Sequence, residues 1–363
     1  MYYRIANLML RSELRLPSFS AFSHDPAEAD VVLAFSDESP VGGKDLEMGN
    51  LMVRRQPNGW FFQRTGGKRG GLVVSEDYSR LGLTGIDPAL DELDVGTEWL
   101  VRIALECMLA RRGYVSLHAA AVLVDGEAYA FTGPSGIGKS TRADAWQEAF
   151  GATLISGDRP LISVGSMELC GVPWDGKEQC FHNARYPLKT ICDIRRSDRA
   201  YVRAMSYDQR RRLLMQQSFL PMWDTMTSAI QMANMVKLAK GAHIVRMFCG
   251  PLPEDAKNIR SGLERHDLKE EGSDLKAKNG FVLRNVMGDH ILMPAGDNVG
   301  QFKGAVVLND VAAFVWEKLR DPVSRDDLLL AICAKYDVDE AVAAGDLDAL
   351  LERLKGYGVI EEE

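Results

Sequence analysis

Gly133-Pro-Ser-Gly-Ile-Gly-Lys-Ser-Thr141 has the form G-x-x-x-x-G-K-[S/T], and the reading of this stretch decides the fold. Glycines at these positions let backbone N–H groups turn inward around phosphate oxygens. Lys139 is long enough to reach the β- and γ-phosphates of a nucleoside triphosphate, and the Ser140 hydroxyl can ligate Mg²⁺. Gly133, Ser135, Gly136, Ile137, Gly138, Lys139, Ser140 and Thr141 are therefore the candidate nucleotide-binding residues. The fixed positions would be met by accident in about one chain in a hundred of this length. The flanks agree with the motif. Ala128-Tyr-Ala-Phe-Thr132 reads as a short buried strand, and Arg142 to Phe150 as a helix whose N-terminus offers a positive dipole end.

A phosphate loop needs an acid for Mg²⁺ or for positioning the nucleophile. Asp158 ends the strand-like run Ala152-Thr-Leu-Ile-Ser-Gly-Asp158, 25 residues after Gly133. At that position it would lie at the carboxyl edge of a sheet, beside the phosphates; a solvated turn aspartate is the alternative. His118, 15 residues before Gly133, falls on a strand or bent strand spanning Val115 to Val124. It would orient the acid or touch the γ-phosphate, or it is a packed polar residue. Lys139, Asp158 and His118 are the candidate catalytic residues, with Ser140 and Asp158 as metal ligands.

The bulk properties bound the rest. A chain of 363 residues suggests two or three domains, and 46% hydrophobic with 26% charged residues is ordinary for a globular protein. A net charge of −8 argues against a general nucleic-acid partner. No apolar run approaches the ~18 residues of a membrane span, and the first eleven residues do not read as a signal peptide. Six cysteines without a C-x-x-C pair read as reduced thiols of a cytoplasmic protein. The spacings of Cys170, Cys180, His182 and Cys192 fit no standard zinc pattern.

Three domains are expected. Residues 1–95 are β-rich, with strand-like runs at Ala29–Phe35, Asn50–Arg55 and Gly59–Arg64. The basic, glycine-rich run Gly66–Gly71 reads as a hairpin turn. Residues 96–262 hold the nucleotide site. They begin with a helix over Leu93–Arg111, continue through strands at Pro160–Val164 and Glu168–Gly171, and include a Met-rich helical stretch over Tyr207–Lys240, read as core. His243–Phe248 closes that domain as a strand, and Arg260–Lys278 reads as a linker. Residues 273–363 form the third domain, with strands at Gly280–Val286 and His290–Pro294 and a helix capped by Asn309. Ser324 with Asp327 starts a second helix and Leu347–Leu354 forms a third.

Leu117-His118, the glycine-rich loop and Leu154-Ile-Ser-Gly-Asp158 together resemble the catalytic half of HPr kinase/phosphorylase, which has the phosphoenolpyruvate-carboxykinase-like P-loop fold. The resemblance covers about 115–250. It implies an α/β core and an ATP- and Mg²⁺-dependent transfer to a hydroxyl, with the acid as base on the acceptor. It also leaves open a homo-oligomer. Where the family has two adjacent aspartates, this chain has Gly157-Asp158. The family's later metal-binding glutamate is matched only loosely, by Glu168. The Gly171-Val-Pro-Trp-Asp-Gly-Lys177 run is similar to divergent HPr-kinase-related proteins, in which Asp175 or Lys177 would meet the substrate; a tightly packed turn around Pro173 and Trp174 is the alternative.

Phe281-Val-Leu-Arg, Leu308-Asn-Asp-Val-Ala-Ala-Phe-Val-Trp316, Tyr336-Asp and Leu350–Gly358 resemble PqqD, a small winged-helix domain that binds the leader of ribosomally made precursor peptides. A DNA-binding winged helix would carry a basic face. Residues 273–363 hold 10 Lys plus Arg against 17 Asp plus Glu, a net of −7, which repels a duplex. A peptide, adding as a strand at a sheet edge, is compatible with that charge. The leading expectation is an ATP-dependent kinase acting on a serine of a precursor peptide. A small-molecule hydroxyl kinase, a nucleotide-binding module without transfer activity and a carboxykinase remain as alternatives.

Overall fold

The computed structural model describes all residues except 67–69, 175–181, 198, 251, 265–274, 287, 296–304, 337 and 363. The chain divides into two compact units, Met1–Leu268 and Lys269–Glu363.

The larger unit contains two sheets. The first has eight strands: β1 (Tyr2–Ile5), β2 (Leu8–Ser12), β3 (Val31–Phe35), β4 (Asp45–Met48), β5 (Leu51–Gln56), β6 (Gly59–Arg64), β7 (Gly71–Ser75) and β8 (Arg80–Thr84). Their order is β1-β2-β3-β8-β7-β6-β5-β4. Alternation buries Val31 and Leu33, Leu72 and Val74, Leu81 and Leu83 on one face. Helix α1 (Val95–Arg111) joins the same core through Leu100, Val101, Ala104 and Leu105. Asp94 starts this helix by accepting from the amides of Gly96 and Thr97. Gly59 is required by close approach: a Cβ there would lie 1.9 Å from the Val74 carbonyl oxygen.

The second sheet is built from β9 (Tyr114–Ser116), β10 (Ala119–Val124), β11 (Glu127–Thr132), β12 (Thr153–Ser156), β13 (Leu161–Ser163), β14 (Glu168–Cys170), β15 (Arg185–Arg196), β16 (Tyr201–Ala204) and β17 (Ile244–Cys249). Its order is β12-β10-β11-β15-β14-β13-β9, with β17 on the other half of β15 and β16 beyond it. Strands β11, β15 and β17 run parallel. Helices α2 (Lys139–Phe150) and α5 (Pro253–Leu263) share a core with Ala120, Val122, Phe131 and Met247. Helices α3 (Tyr207–Gln217) and α4 (Thr225–Gly241) share the opposite one with Ala119, Ala121, Ala130 and Ile191. Both faces are covered, which is why β10 and β11 read as near-continuous apolar runs rather than alternating ones.

Three expectations need correction. The 12-residue strand β15, central to the second sheet, was not anticipated, because charges interrupt its apolar run on both sides. The Met-rich stretch is only partly core: Met235 is buried, whereas Met222 and Met226 are 71% and 65% exposed. Arg260–Leu263, expected as linker, completes α5. Residues 67–69 of the glycine-rich run, together with Asp175, Lys177 and Cys180, lie outside the described residues.

The smaller unit consists of β18 (Leu275–Ala277), β19 (Phe281–Val286), β20 (Asp289–Pro294), β21 (Val306–Leu308), α6 (Asp310–Lys318), α7 (Arg325–Tyr336), α8 (Glu340–Gly356) and β22 (Ile360–Glu362). Strands β19-β20-β21 form an antiparallel sheet, and β18 pairs with β22. Val315, Trp316, Leu328, Leu347 and Leu354 build its core. The Asn309 carboxamide oxygen accepts from the Ala312 amide at 2.8 Å. The Ser324 hydroxyl accepts from the Asp327 amide at 3.1 Å and donates to its carboxylate at 2.9 Å. Among the described residues no helix is long and apolar enough to cross a membrane.

Candidate functional site

The order β12-β10-β11 carries three sequence-distant positions to one sheet edge: Asp158 follows β12, His118 precedes β10 and Gly133 follows β11. Backbone bonds tie them together. The Ala119 amide donates to the Asp158 carbonyl at 2.8 Å. The Thr132 hydroxyl donates to the His118 carbonyl at 2.9 Å, and the His118 amide donates to the Gln217 carbonyl at 2.7 Å. His118 Nε2 stands 3.7 Å from Asp158 Oδ1, an ion-pair separation too long for a direct hydrogen bond. Burial depresses the His118 pKa below the ordinary histidine value, and the cations of Lys139 and Arg159 add to that effect. The imidazole is therefore neutral at pH 7.

Residues 133–138 form an open glycine loop. Gly133, Gly136 and Gly138 have φ of +142°, +77° and +108°, a region that favours glycine. A Cβ on Gly133 would meet Ile137 Cγ2 at 3.3 Å, whereas nothing lies within 4 Å of one on Gly136. Gly138 caps α2 without a side-chain bond, so among the described residues the first-turn amides, including those of Ser140 and Thr141, have no side-chain acceptor. Lys139 Nζ donates to the carbonyls of Gly133 and Pro134 at 3.1 and 3.2 Å, inside the loop. Burial lowers its pKa, and Asp158 opposes that shift. Uncapped amides at a helix N-terminus beside a lysine are a donor set that fits an anion. Ser135, Ile137 and the other candidate residues of the loop all stand in this segment.

Glu168 is not brought to this edge. Strand β13 leads away from Asp158, and β14 returns antiparallel, with Glu168 opposite Ser163 at the remote end. Its carboxylate accepts from the Ser166 hydroxyl at 2.6 Å. The nine residues between the two acids are spent on a hairpin, so nearness in sequence becomes distance in space. Among the described residues no group of three or more His, Cys, Asp or Glu side chains is arranged to hold a metal ion. Ser140 and Asp158 suit Mg²⁺, which takes one or two protein ligands and leaves the rest to phosphates and water.

Further residues at this edge were not singled out from the sequence. Arg102, on α1, lies 3.6 Å from the Glu106 carboxylate and 3.7 Å from that of Asp158, with its guanidinium 5.7 Å from the Trp174 ring. Asp193, on β15 beside Thr132, is buried, and its carboxylate is held by Arg195 at 3.0 Å and Arg246 at 3.2 Å. Its Oδ1 would lie 3.7 Å from a Cβ on Gly133, so it supports the first glycine of the loop. Arg196 Nη2 donates to the Gly136 carbonyl at 2.7 Å and fixes the outer rim. Asp193 had one legible signal: an acid inside the apolar run Thr190-Ile-Cys-Asp-Ile194. The α3–α4 connection reaches the same edge and is anchored from the first sheet. The Tyr78 hydroxyl donates to the Asp224 carboxylate at 2.9 Å, and Arg111 pairs with that carboxylate at 3.0 Å.

In the smaller unit, β21 pairs only with β20 among the described residues, which leaves it as a sheet edge, and Val307 is 67% exposed. A cavity of about 350 Å³ begins at Asn309, just after β21, and is lined by Val311, Ile332, Tyr336, Val342, Leu347 and Leu350. Arg325 clamps Asp348 with bonds of 2.7 and 2.8 Å and holds α7 to α8.

Residues 289–360 match the family model described as coenzyme PQQ synthesis protein D (PqqD). Two similar solved structures are described as TbiB1 in complex with the TbiA(beta) leader peptide and as lasso peptide synthetase B1 complexed with the leader peptide. The first is 23% identical, covering 24% of this chain and 94% of the other with a TM-score of 0.21. The second is 22% identical, covering 24% and 99% with a TM-score of 0.22. No curated protein matches the sequence. The smaller unit thus carries a PqqD domain, and these matches leave the glycine loop and its sheet edge untouched.

Proposed function

We propose that this protein is an ATP-dependent kinase that phosphorylates a hydroxyl, a serine of a ribosomally made precursor peptide, while the PqqD domain holds that peptide's leader. One observation carries the reading: a G-x-x-x-x-G-K-S loop, an acid and a histidine meet at one sheet edge, in a chain that also carries a PqqD domain. The uncapped amides of α2 and Lys139 would bind the phosphates, and Ser140 with Asp158 would hold Mg²⁺. Bound Mg²⁺ supplies charge neutralisation on the phosphate oxygens.

Asp158 would take the acceptor's proton as transfer proceeds, and neutral His118 beside it would orient the carboxylate or relay through a water across 3.7 Å. Arg102, braced by Glu106 and Trp174, would fix Asp158 from behind. In the PqqD domain, the free edge of β21 offers main-chain groups to an extended peptide, and the adjoining apolar cavity takes its side chains. Covalent fusion raises the local peptide concentration, so weak leader binding suffices.

The test is transfer of label from γ-labelled ATP with Mg²⁺ into the precursor peptide. Label that needs both Asp158 and the leader supports the reading. Label on a small metabolite, indifferent to residues 273–363, would move the acceptor to a small molecule. Nucleotide binding without transfer would leave a binding module.

A further inference from the structure

Two arginines flank Asp158, and among the described residues only Arg102 stands at ion-pair distance from acids, although its Nε, too, is shielded without a hydrogen-bond partner. Arg102 lies between Glu106 and Asp158. Arg159 immediately follows Asp158, yet its Nη1 is shielded from solvent with no hydrogen-bond partner among the described residues, and no ion pair joins it to an acid among them. A shielded guanidinium N–H left without an acceptor is unfavourable, so such a group is more stable when an anion arrives. The backbone of Arg159 is fixed. The Trp174 indole N–H donates to its carbonyl at 3.3 Å, and the flanking carbonyls of Asp158 and Pro160 accept from Ala119 and Leu117. Arg159 adjoins Asp158, whose carboxylate stands 3.7 Å from the His118 imidazole, and its charge is felt at both His118 and Lys139. An anion arriving there meets two cations, and Asp158 is the acid beside them.

We propose that Arg159 contacts the phosphoryl group in flight, as a second cation beside Lys139. This rests on the kinase reading above. In the step, the acceptor O–H bond breaks and its proton passes to Asp158. The new O–P bond forms, and the bond from the γ-phosphorus to the bridging oxygen breaks, leaving ADP with the electron pair. Charge is spread over the equatorial and leaving oxygens, where a planar guanidinium can donate two parallel bonds. A contact of this kind strengthens toward the transition state and contributes little to ADP binding.

The experiment is calorimetric titration of the full chain with Mg–ADP alone and with Mg–ADP plus aluminium fluoride, a mimic of the phosphoryl group in flight. Wild type and Arg159→Gln are compared. The expected result is wild-type preference for the fluoride complex, ADP affinity within about twofold in the variant, and loss of that preference by tenfold or more. Arg159→Met, which suits a shielded site, carries the same comparison if the Gln variant does not fold. A variant that keeps the wild-type preference overturns the proposal. So does a variant that loses affinity equally for both complexes, because the guanidinium then reads the bound nucleotide and not the phosphoryl group in flight. Wild type that binds no nucleotide at all would instead overturn the kinase reading, a failure distinguishable from the first.

Discussion

The two units present their functional surfaces in opposite ways. At the glycine-loop edge, a handful of charged side chains converge from α1, α2, β15 and the ends of β10 and β12. In the PqqD domain, the candidate surface is a strand edge and a mainly apolar cavity, whose lining includes Asp346 and Arg353 as its charged members. Chemistry at a reacting atom needs point charges at set distances, and those require a rigid, many-stranded support. Peptide binding needs main-chain groups and apolar area, which a small three-helix unit supplies. Single substitutions should therefore act sharply in the first region and gradually in the second.

The largest effect should come from Asp193. Replacing it with Ala removes the carboxylate that Arg195 and Arg246 share, and breaking a buried pair in this way costs about 3–5 kcal/mol. Chemical denaturation followed separately in the two units should show the larger one destabilised and the smaller one unchanged; equal destabilisation would erase the contrast drawn here. Next is Lys139→Ala, which should lower transfer about 10²–10³-fold with the unfolding midpoint and leader affinity preserved. Unchanged transfer would remove the kinase reading altogether. In the PqqD domain, Val342→Asp places a charge in the apolar cavity and should weaken leader binding only about tenfold, near the ~1.5 kcal/mol of one valine contact. Fluorescence titration with the leader measures it, and a 10³-fold loss would mean that this surface also works through a single point.

The smallest effect is in pH dependence. The His118 pKa is depressed in the folded chain, by burial and then by Lys139 and Arg159, so the unfolded chain takes up this proton first as pH falls. The contribution of His118 to stability is then complete above its unfolded value, near 6.5, and is lost as pH drops from there through the folded value. Transfer should accordingly stay level as pH is lowered to 6.5 and fall only below it. A midpoint at or above 6.5 in the pH–rate profile would show that the imidazole is not shielded as described.

Local pattern was the readable part of both regions. The glycine loop, β11, α2 and α1 are visible because each is a contiguous run with its own period or cap. The helix starts at Asn309 and Ser324 were visible for the same reason. Strand β15 was hidden because its burial comes from neighbours on two sides, β11 on one and β14 and β17 on the other, and not from alternation of its own residues. The exposed Met222 and Met226 show the converse: apolar character alone does not say whether another element arrives to cover it.

By itself, the sequence determined which residues can serve as loop, acid and histidine, because those roles depend on residue type and short spacing. It also determined that the C-terminal unit is acidic and PqqD-like. Only the tertiary structure decided which of them meet. It joined Asp158 to His118 through the pairing of β12 with β10, sent Glu168 to the far end of a hairpin and brought Arg102 from a helix packed on the other sheet. The physical reason is that strand order and register convert separations along the chain into distances in space, and both are set by how whole faces bury one another.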